Sequence, residues 1–411
     1  MKTAAIFPGQ ASQFIGMYKS MYEKYPLFRS TIREAEKVTE IPLTRYCFEG
    51  PLSQLSRAET AHAAILAFSV AAFRVYIEQS GIEPAFCAGH SLGEYAALVC
   101  AGALKFSDAL ELIQVRCKIA EDISERRKGG MSIIDGIETS KVQQQCYEYR
   151  KQGKLVYPAC INTPLQTTVS GVQSDLIMLE QEFVAAGGKT TPLMNSAPFH
   201  SPIMDDADMM NKYRDYIQNI EFSDFAYPVL SNYTGRTYQS KEEIVSNMLN
   251  HLIRPVQWVH NMKYLIGKGV DYFIDFSARN VFSIMFEQYG IENKICFGME
   301  DERENFIESK AKSQSDIIKD FVQQCILLSV STPNACDNSE QFRCVFDNGM
   351  VILKEMYSKV DVINKRDLAG KCISAVKEIL CAKKLECAEQ YLYCSKLSSK
   401  IGLLYETSDI T

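Results

Sequence analysis

The chain has no Cys-X-X-Cys pair, no run of Lys and Arg interleaved with aromatic side chains, and only five histidines. Its 14 cysteines lack both the dense spacing of a small secreted scaffold and the spacing of zinc ligands. Reduced thiols packed as small apolar side chains are expected, and no metal. The missing basic stripe, with a formal charge of only -6, argues against a nucleic-acid partner. The apolar run Met1–Phe7 meets Pro8-Gly9 at once, too early for a signal peptide or a membrane span. A cytoplasmic location without a membrane partner is the expectation. No internal repeat or low-complexity tract is present.

What the chain does have is length and apolar content: 411 residues, 46% of them hydrophobic, enough for a sizeable core and more than one compact unit. Lys2 to Phe7 reads as a buried strand entering a Pro-Gly turn, with a helix expected over Phe14 to Tyr22. A helix over Thr60 to Gln79 precedes a strand at Ala85 to Ala88, and a further helix is expected at Ala109 to Ser124. The polar run Glu125–Gly130 marks a boundary. Beyond it, to about Met194, the pattern strand, helix, two strands, helix, strand suggests a ferredoxin-like insert beside the main sheet. Strand-like runs at Tyr227 to Leu230 and Tyr272 to Phe276 resume the α/β alternation.

From about Arg303 the pattern changes. Glu308 to Ser315 is polar and reads as a linker, and the remainder shows helical periodicity alone. Helices are expected at Asp316 to Ser329, Glu340 to Ser358, Arg366 to Ala382 and Cys387 to Leu404. Half of the cysteines lie from Cys325 onward. The fold class expected is α/β: an α/β hydrolase-like large subdomain (1–127 and 196–300), an inserted ferredoxin-like small subdomain (128–195), and a linker with a helical C-terminal domain (301–411).

Gly89-His90-Ser91-Leu92-Gly93 fits the nucleophile-elbow pattern, in which a strained turn between strand and helix lifts a serine above its neighbours. The following helix aims main-chain N–H groups at an anion held there. The pentapeptide alone is a weak signal, but a strand before it and an Ala-rich helix after it supply the required context. A serine needs a base, and histidine is the natural one at neutral pH. Among His62, His90, His200, His251 and His260, His200 stands out in the Pro-punctuated loop Asn195–Pro202, where a side chain can be presented to a cleft.

With these pieces in view, the sequence resembles the malonyl-CoA:acyl-carrier-protein transacylase family, including free-standing acyltransferases that serve polyketide synthases lacking their own. The matching segments are Phe7-Pro8-Gly9-Gln10, Gly89 to Leu98, Arg116, Ala197 to His200 and Pro255-Val256-Gln257-Trp258, in the family's order over about residues 1 to 300. The resemblance implies that Ser91 attacks a thioester and His200 is its base, held by a main-chain carbonyl from Asn250–Leu252. It also implies an oxyanion hole from the amides of Gln10 and Leu92. Arg116 would grip the malonyl carboxylate through two parallel hydrogen bonds, and Phe199 would narrow the space for a 2-methyl branch. His62, His251 and the elbow's own His90 complete the expected substrate-binding set. The implied partners are a malonyl-type thioester and an acyl carrier protein, with CoA or phosphopantetheine as substrate handle and no cofactor.

Several positions depart from the family's pattern. His62 and His251 stand where glutamine is usual, Ala11 replaces a glycine, and Ser277-Ala278-Arg279 stands for Gly-Pro-Gly. These departures bear on the acyl group rather than the reaction, and raise a polar 2-substituted malonyl donor carried on a protein as an alternative. Two further rivals are a thioester hydrolase that clears stalled carriers and an idle docking protein whose helical tail is the working part. Arg116 argues against the first, and the intact Ser91, His200 and Gln10 set against the second.

Overall fold

The computed structural model describes residues 1–336, 339–360 and 364–400. The chain divides into two compact units, Met1–Asn305 and Phe306–Thr411. The first is an α/β unit built on two sheets. One is five-stranded, with β1 (Thr3–Phe7), β2 (Phe86–Gly89), β7 (Val229–Leu230), β8 (Tyr272–Asp275) and β9 (Lys294–Cys296) in the order β7-β2-β1-β8-β9, all pairs parallel. The other is antiparallel: β3 (Gly129–Asp135), β4 (Val156–Thr163), β5 (Gln166–Val172) and β6 (Lys189–Leu193), in the order β4-β5-β3-β6.

Strand β1 is buried along its whole length, as a central parallel strand covered on both faces must be. Helix Ala58–Ser80 contributes to that cover through Phe73, whose ring lies 5.8 Å from that of Phe7. By length and composition it could cross a membrane, yet 89% of its most apolar window is buried inside the protein, the behaviour of a core helix. Helices Thr139–Lys151 and Gln173–Ala185 pack on the antiparallel sheet around Ile134, Val142, Cys146, Val156, Leu179 and Phe183. Main-chain bonds from Ile161 to Val256 and from Val256 to Ala159 stitch β4 to the Pro255–Trp258 segment.

The register between β1 and β2 pairs Phe7 with Gly89, so the loops leaving the two strands, Pro8-Gly9-Gln10 and His90-Ser91, emerge side by side at one end of the sheet. Ligands gather at that carboxyl end of parallel strands. Here two glycines make the approach possible. A β carbon on Gly89 would fall 1.9 Å from the Gly93 carbonyl, and one on Gly93 would fall 2.3 Å from the Phe7 oxygen.

Two expectations need correction, and one strand was not foreseen. The helix expected over Phe14–Tyr22 is instead a series of turns leading to a short helix at Lys19–Lys24, because Gly16 (φ 93°) and Tyr18 (φ 57°) adopt left-handed conformations that interrupt a right-handed helix. Strand β9 carried no strand signal strong enough to stand out in its three residues. The polar run 308–315 is not a linker: it lies inside a continuous helix, Glu300–Ser331, whose sequence contains neither Gly nor Pro and is rich in good helix formers.

The second unit is helical, with Ser339–Ser358, Lys365–Ala382 and Cys387–Lys400 following that long helix. Its core gathers Phe321, Val322, Leu353, Leu368, Val376 and Leu380. Inside it the Lys383 ammonium donates to the Thr332 carbonyl (2.6 Å) and hydroxyl (2.9 Å). The last four residues of the helix expected at Cys387–Leu404 lie outside the described residues.

Candidate active site

Ser91 sits between the end of β2 and helix Gly93–Cys100 with φ 51°, a left-handed conformation that a non-glycine residue adopts only under local constraint. Two things impose that constraint. The Ser91 amide donates to Asn232 Oδ1 (2.8 Å), and the Asn232 side-chain amide donates to the Gly89 carbonyl (2.6 Å), so one carboxamide clasps both sides of the turn. Asn232 is in turn held through its own amide by Glu94 Oε2 (3.1 Å), whose other oxygen accepts from the Tyr238 hydroxyl (2.6 Å).

The Ser91 hydroxyl lies 2.6 Å from His200 Nε2. Across the ring, His200 Nδ1 lies 2.6 Å from the His251 carbonyl, and a carbonyl can only accept. The ring proton is therefore on Nδ1, and Nε2 is left as the acceptor for the serine proton. His200 also adopts a left-handed φ of 61°, and its amide donates to the Leu252 carbonyl (2.8 Å), so helix Glu243–Ile253 fixes both ring and backbone. Burial, reinforced by the nearby Arg116 guanidinium, pushes the His200 pKa down to about 3. The imidazole is neutral, hence available as a base, throughout the ordinary pH range.

Gln10 lies in the loop that leaves β1 beside the elbow, and Leu92 directly follows the serine at the start of the helix. Among the described residues neither main-chain amide has a hydrogen-bond partner within the protein. Helix Gly93–Cys100 adds the positive end of its dipole on the same side. The Gln10 side chain points elsewhere. Its Nε2 donates to Ser196 Oγ (2.6 Å) and its Oε1 lies 3.2 Å from His62 Nε2.

Arg116 is 1% exposed, in the middle of helix Phe106–Arg127. Its Nη1 donates to His62 Nδ1 (3.3 Å), which sets the proton of that ring on Nε2, toward Gln10. The guanidinium carbon lies 3.9 Å from the centroid of the Phe199 ring, within cation–π range, and Nε has no partner. No carboxylate among the described residues pairs with it. A buried, unpaired guanidinium is unfavourable by on the order of several kcal/mol, and a carboxylate-bearing ligand would relieve that.

The remaining expected site residues divide. His62 and Phe199 lie beside Arg116, as just described. His251 packs its ring 4.8 Å from that of His200, with both ring nitrogens unbonded and Nε2 3.8 Å from Glu94 Oε2. Burial drives the pKa of His62 and of His251 well down, with Arg116 adding to each. His90 faces the other way. It donates to Asn162 Oδ1 (2.8 Å), meets the Trp258 ring edge-on at 5.2 Å, and lines a cavity of about 160 Å³ that reaches Ser91 between the two sheets.

Asn232, Glu94 and Tyr238 were not singled out from sequence. The signals were there in faint form: a lone carboxylate in the apolar helix after the elbow, and a Ser-Asn pair at the end of a short apolar run. Burial pushes the Glu94 carboxyl up to about 7, against the opposing hydrogen bonds from Tyr238 and Asn232.

A hydroxyl lifted on a strand-to-helix turn and bonded to a neutral imidazole, which is itself held by a main-chain carbonyl, defines a serine enzyme of covalent acyl chemistry. The guanidinium nearby restricts the class further, to acyl groups with a charged end. The chain belongs to the acyl transferase domain family, which matches residues 5–278. It is 34% identical over 278 residues to a malonyl CoA-acyl carrier protein transacylase of Bacillus subtilis, covering 68% of this chain and 69% of that protein. Among solved structures it is similar to a malonyl-transacylase in complex with its type II polyketide synthase acyl-carrier protein (30% identity, TM-score 0.68, 72% of this chain and 94% of that one). It is also similar to the malonyl-CoA:acyl carrier protein transacylase of Xanthomonas oryzae (28% identity, TM-score 0.71, 75% and 99%).

Proposed function

We propose that the protein transfers a malonyl group from CoA to the phosphopantetheine thiol of an acyl carrier protein, through an ester on Ser91, in fatty-acid or polyketide synthesis. The observation that carries this reading is the pairing of Ser91 Oγ with His200 Nε2 at 2.6 Å, a few side chains from a buried guanidinium lacking a carboxylate. The malonyl carboxylate occupies the Arg116 clamp, which leaves the thioester carbonyl over Ser91.

The chemistry runs in two halves. His200 Nε2 takes the hydroxyl proton as Ser91 Oγ attacks the thioester carbon, and the amides of Gln10 and Leu92 receive the developing oxyanion. Collapse breaks the C–S bond, and the departing CoA thiolate takes the proton back from His200. The carrier thiol then gives its proton to His200 and attacks the ester. Ser91 Oγ leaves and is reprotonated, which restores the enzyme. Arg116 binds the same carboxylate in both halves, so the acyl group stays oriented while the thiols exchange. No metal or redox cofactor takes part in these steps. A cytoplasmic setting, where CoA and carrier protein meet, fits the reaction.

The βαββαβ order of the insert and its β4-β5-β3-β6 arrangement support reading residues 128–195 as a ferredoxin-like subdomain. In this reading it is set into an α/β hydrolase-like unit of residues 1–127 and 196–300, and residues 301–411 form an appended helical domain.

Intact-mass analysis after brief exposure to malonyl-CoA tests the proposal. A single malonyl adduct is expected, lost on adding carrier protein, and absent in Ser91→Ala. Release of free malonate at the same rate with and without carrier would favour hydrolysis and overturn transfer.

A further inference from the structure

We propose that Met131 and Leu193 form a gate that sets the size of the acyl group, closing off a second cavity that would otherwise take malonyl units with an alkyl substituent at C2. The inference rests on the malonyl-transfer reading above. Two cavities meet at this pair. One, of about 160 Å³, reaches Ser91. The other, of about 590 Å³, lies behind Phe199 and does not include the serine. Met131 and Leu193 are the two residues that line both.

Their joint position follows from strand pairing. Met131 on β3 is the direct register partner of Leu193 on β6, and directly opposed residues of an antiparallel pair project from the same face of the sheet. The two side chains therefore stand together as a partition. On the reaction side, Met131 Sδ lies 3.7 Å from Gln10 Nε2, and the Gln10 carboxamide contacts His62, which contacts Arg116. The partition thus borders the space between the serine and the carboxylate clamp, the space in which C2 of a malonyl unit must lie.

The chemistry of the second cavity names its occupant. Its most deeply buried lining residues, Ala120, Gly130, Met131, Leu176, Ala197 and Phe199, are small or apolar; the one buried polar side chain among them, Ser196, is already bonded to Gln10, and Glu180 is half-buried. The charged Arg57, Glu121 and Glu125 are exposed, at its outer side. Ala120 is one helical turn after Arg116 and so shares its face of the helix. A group extending from an acyl unit held by Arg116 would pass Met131 and run along Ala120. Alkyl is the chemistry such a surface accepts, and a flexible thioether is well suited to a movable wall.

The test compares transfer of malonyl and 2-butylmalonyl from CoA to carrier protein by the full-length chain, as the ratio of kcat/KM for the two donors. In Met131→Ala the butylmalonyl/malonyl ratio should rise at least about 10-fold, the lower end of what one methylene's worth of pocket discriminates. Leu193→Ala should raise it by a smaller factor, and adding Ala120→Leu to Met131→Ala should return it toward the starting value. A ratio within about twofold of the unaltered protein in both single variants overturns the gate. A gain that survives Ala120→Leu overturns the role of the second cavity. If Met131→Ala loses transfer of both donors, Leu193→Ala decides alone. Absence of malonyl transfer by the unaltered protein would instead overturn the functional reading and leave the gate without a substrate.

Discussion

The Arg116 guanidinium rests 3.9 Å above the Phe199 ring and meets no carboxylate among the described residues. An aromatic face is a weak partner for a buried cation, so this contact holds the guanidinium in place without satisfying it. Replacing Arg116 with alanine should lower kcat/KM for malonyl-CoA by about 100-fold, as expected for loss of two charge-assisted hydrogen bonds, and leave acetyl transfer within a few-fold. Lysine should recover only part of the loss, since it cannot make the bidentate contact. Steady-state kinetics with both donors check this.

The same guanidinium acts on the base. Burial and Arg116 together hold His200 near 3, so the labelling rate of Ser91 by a phosphonate reagent should stay level as pH falls through 6.5, histidine's ordinary range. In Arg116→Ala the second of those causes is gone, and the acid limb of the profile should move to higher pH. A limb near 6.5 in the unaltered protein would show that His200 is not held neutral.

Stability should also depend on pH. His62, His90, His200 and His251 have folded pKa values below the unfolded value, so the unfolded chain binds more protons as pH falls from about 6.5. Their contribution is complete above that pH and is lost on acidification, at up to about 1.4 kcal/mol per pH unit for each ring. Glu94 and Asp275, raised to about 7, act in the opposite sense: their contribution is present at low pH and is lost as pH rises toward 7. Four rings outweigh two carboxyls, so the urea midpoint should fall between pH 6.5 and 5. Substituting glutamine at either His62 or His251 should flatten the decline.

The elbow's clasp should be measurable by itself. Asn232→Ala removes the acceptor of the Ser91 amide and the donor to Gly89 at once. A kcat lower by about 10-fold or more is expected, with KM changed little, because the reacting atoms lose position while the carboxylate clamp is untouched. Equal losses of kcat with malonyl-CoA and of phosphonate labelling would place the defect at the serine.

Backbone conformation makes a further prediction. Ala11 is exposed and adopts φ 69°, where a β carbon is unfavourable, so Ala11→Gly should raise stability by up to about 1 kcal/mol. Gly93→Ala should instead prevent the native packing of β1 against the elbow, and appear as insoluble or unfolded protein. Thermal melts distinguish the two.

Much of the site could be read from sequence because its parts are local. A glycine-flanked serine between a strand and a helix, and a histidine in a loop punctuated by prolines, carry their geometry in adjacent residues. Arg116 needed a resemblance to be noticed, since a helix arginine looks alike whether it ends in solvent or in the core. Asn232 escaped notice because its role exists only once β7 lies beside β2, more than a hundred residues earlier in the chain. The 308–315 segment misled for a different reason: polarity marks a linker only where the residues are also poor helix formers, and these are not.

The His200 imidazole leans on the main chain, through its bond to the His251 carbonyl. Every amino acid placed at position 251 brings the same carbonyl, so the orientation of the imidazole is insulated from whatever side chain stands there. That separates two tasks often forced onto one residue: keeping a reaction running and changing what enters it. Position 251 can be rewritten while the His200 ring keeps its main-chain partner.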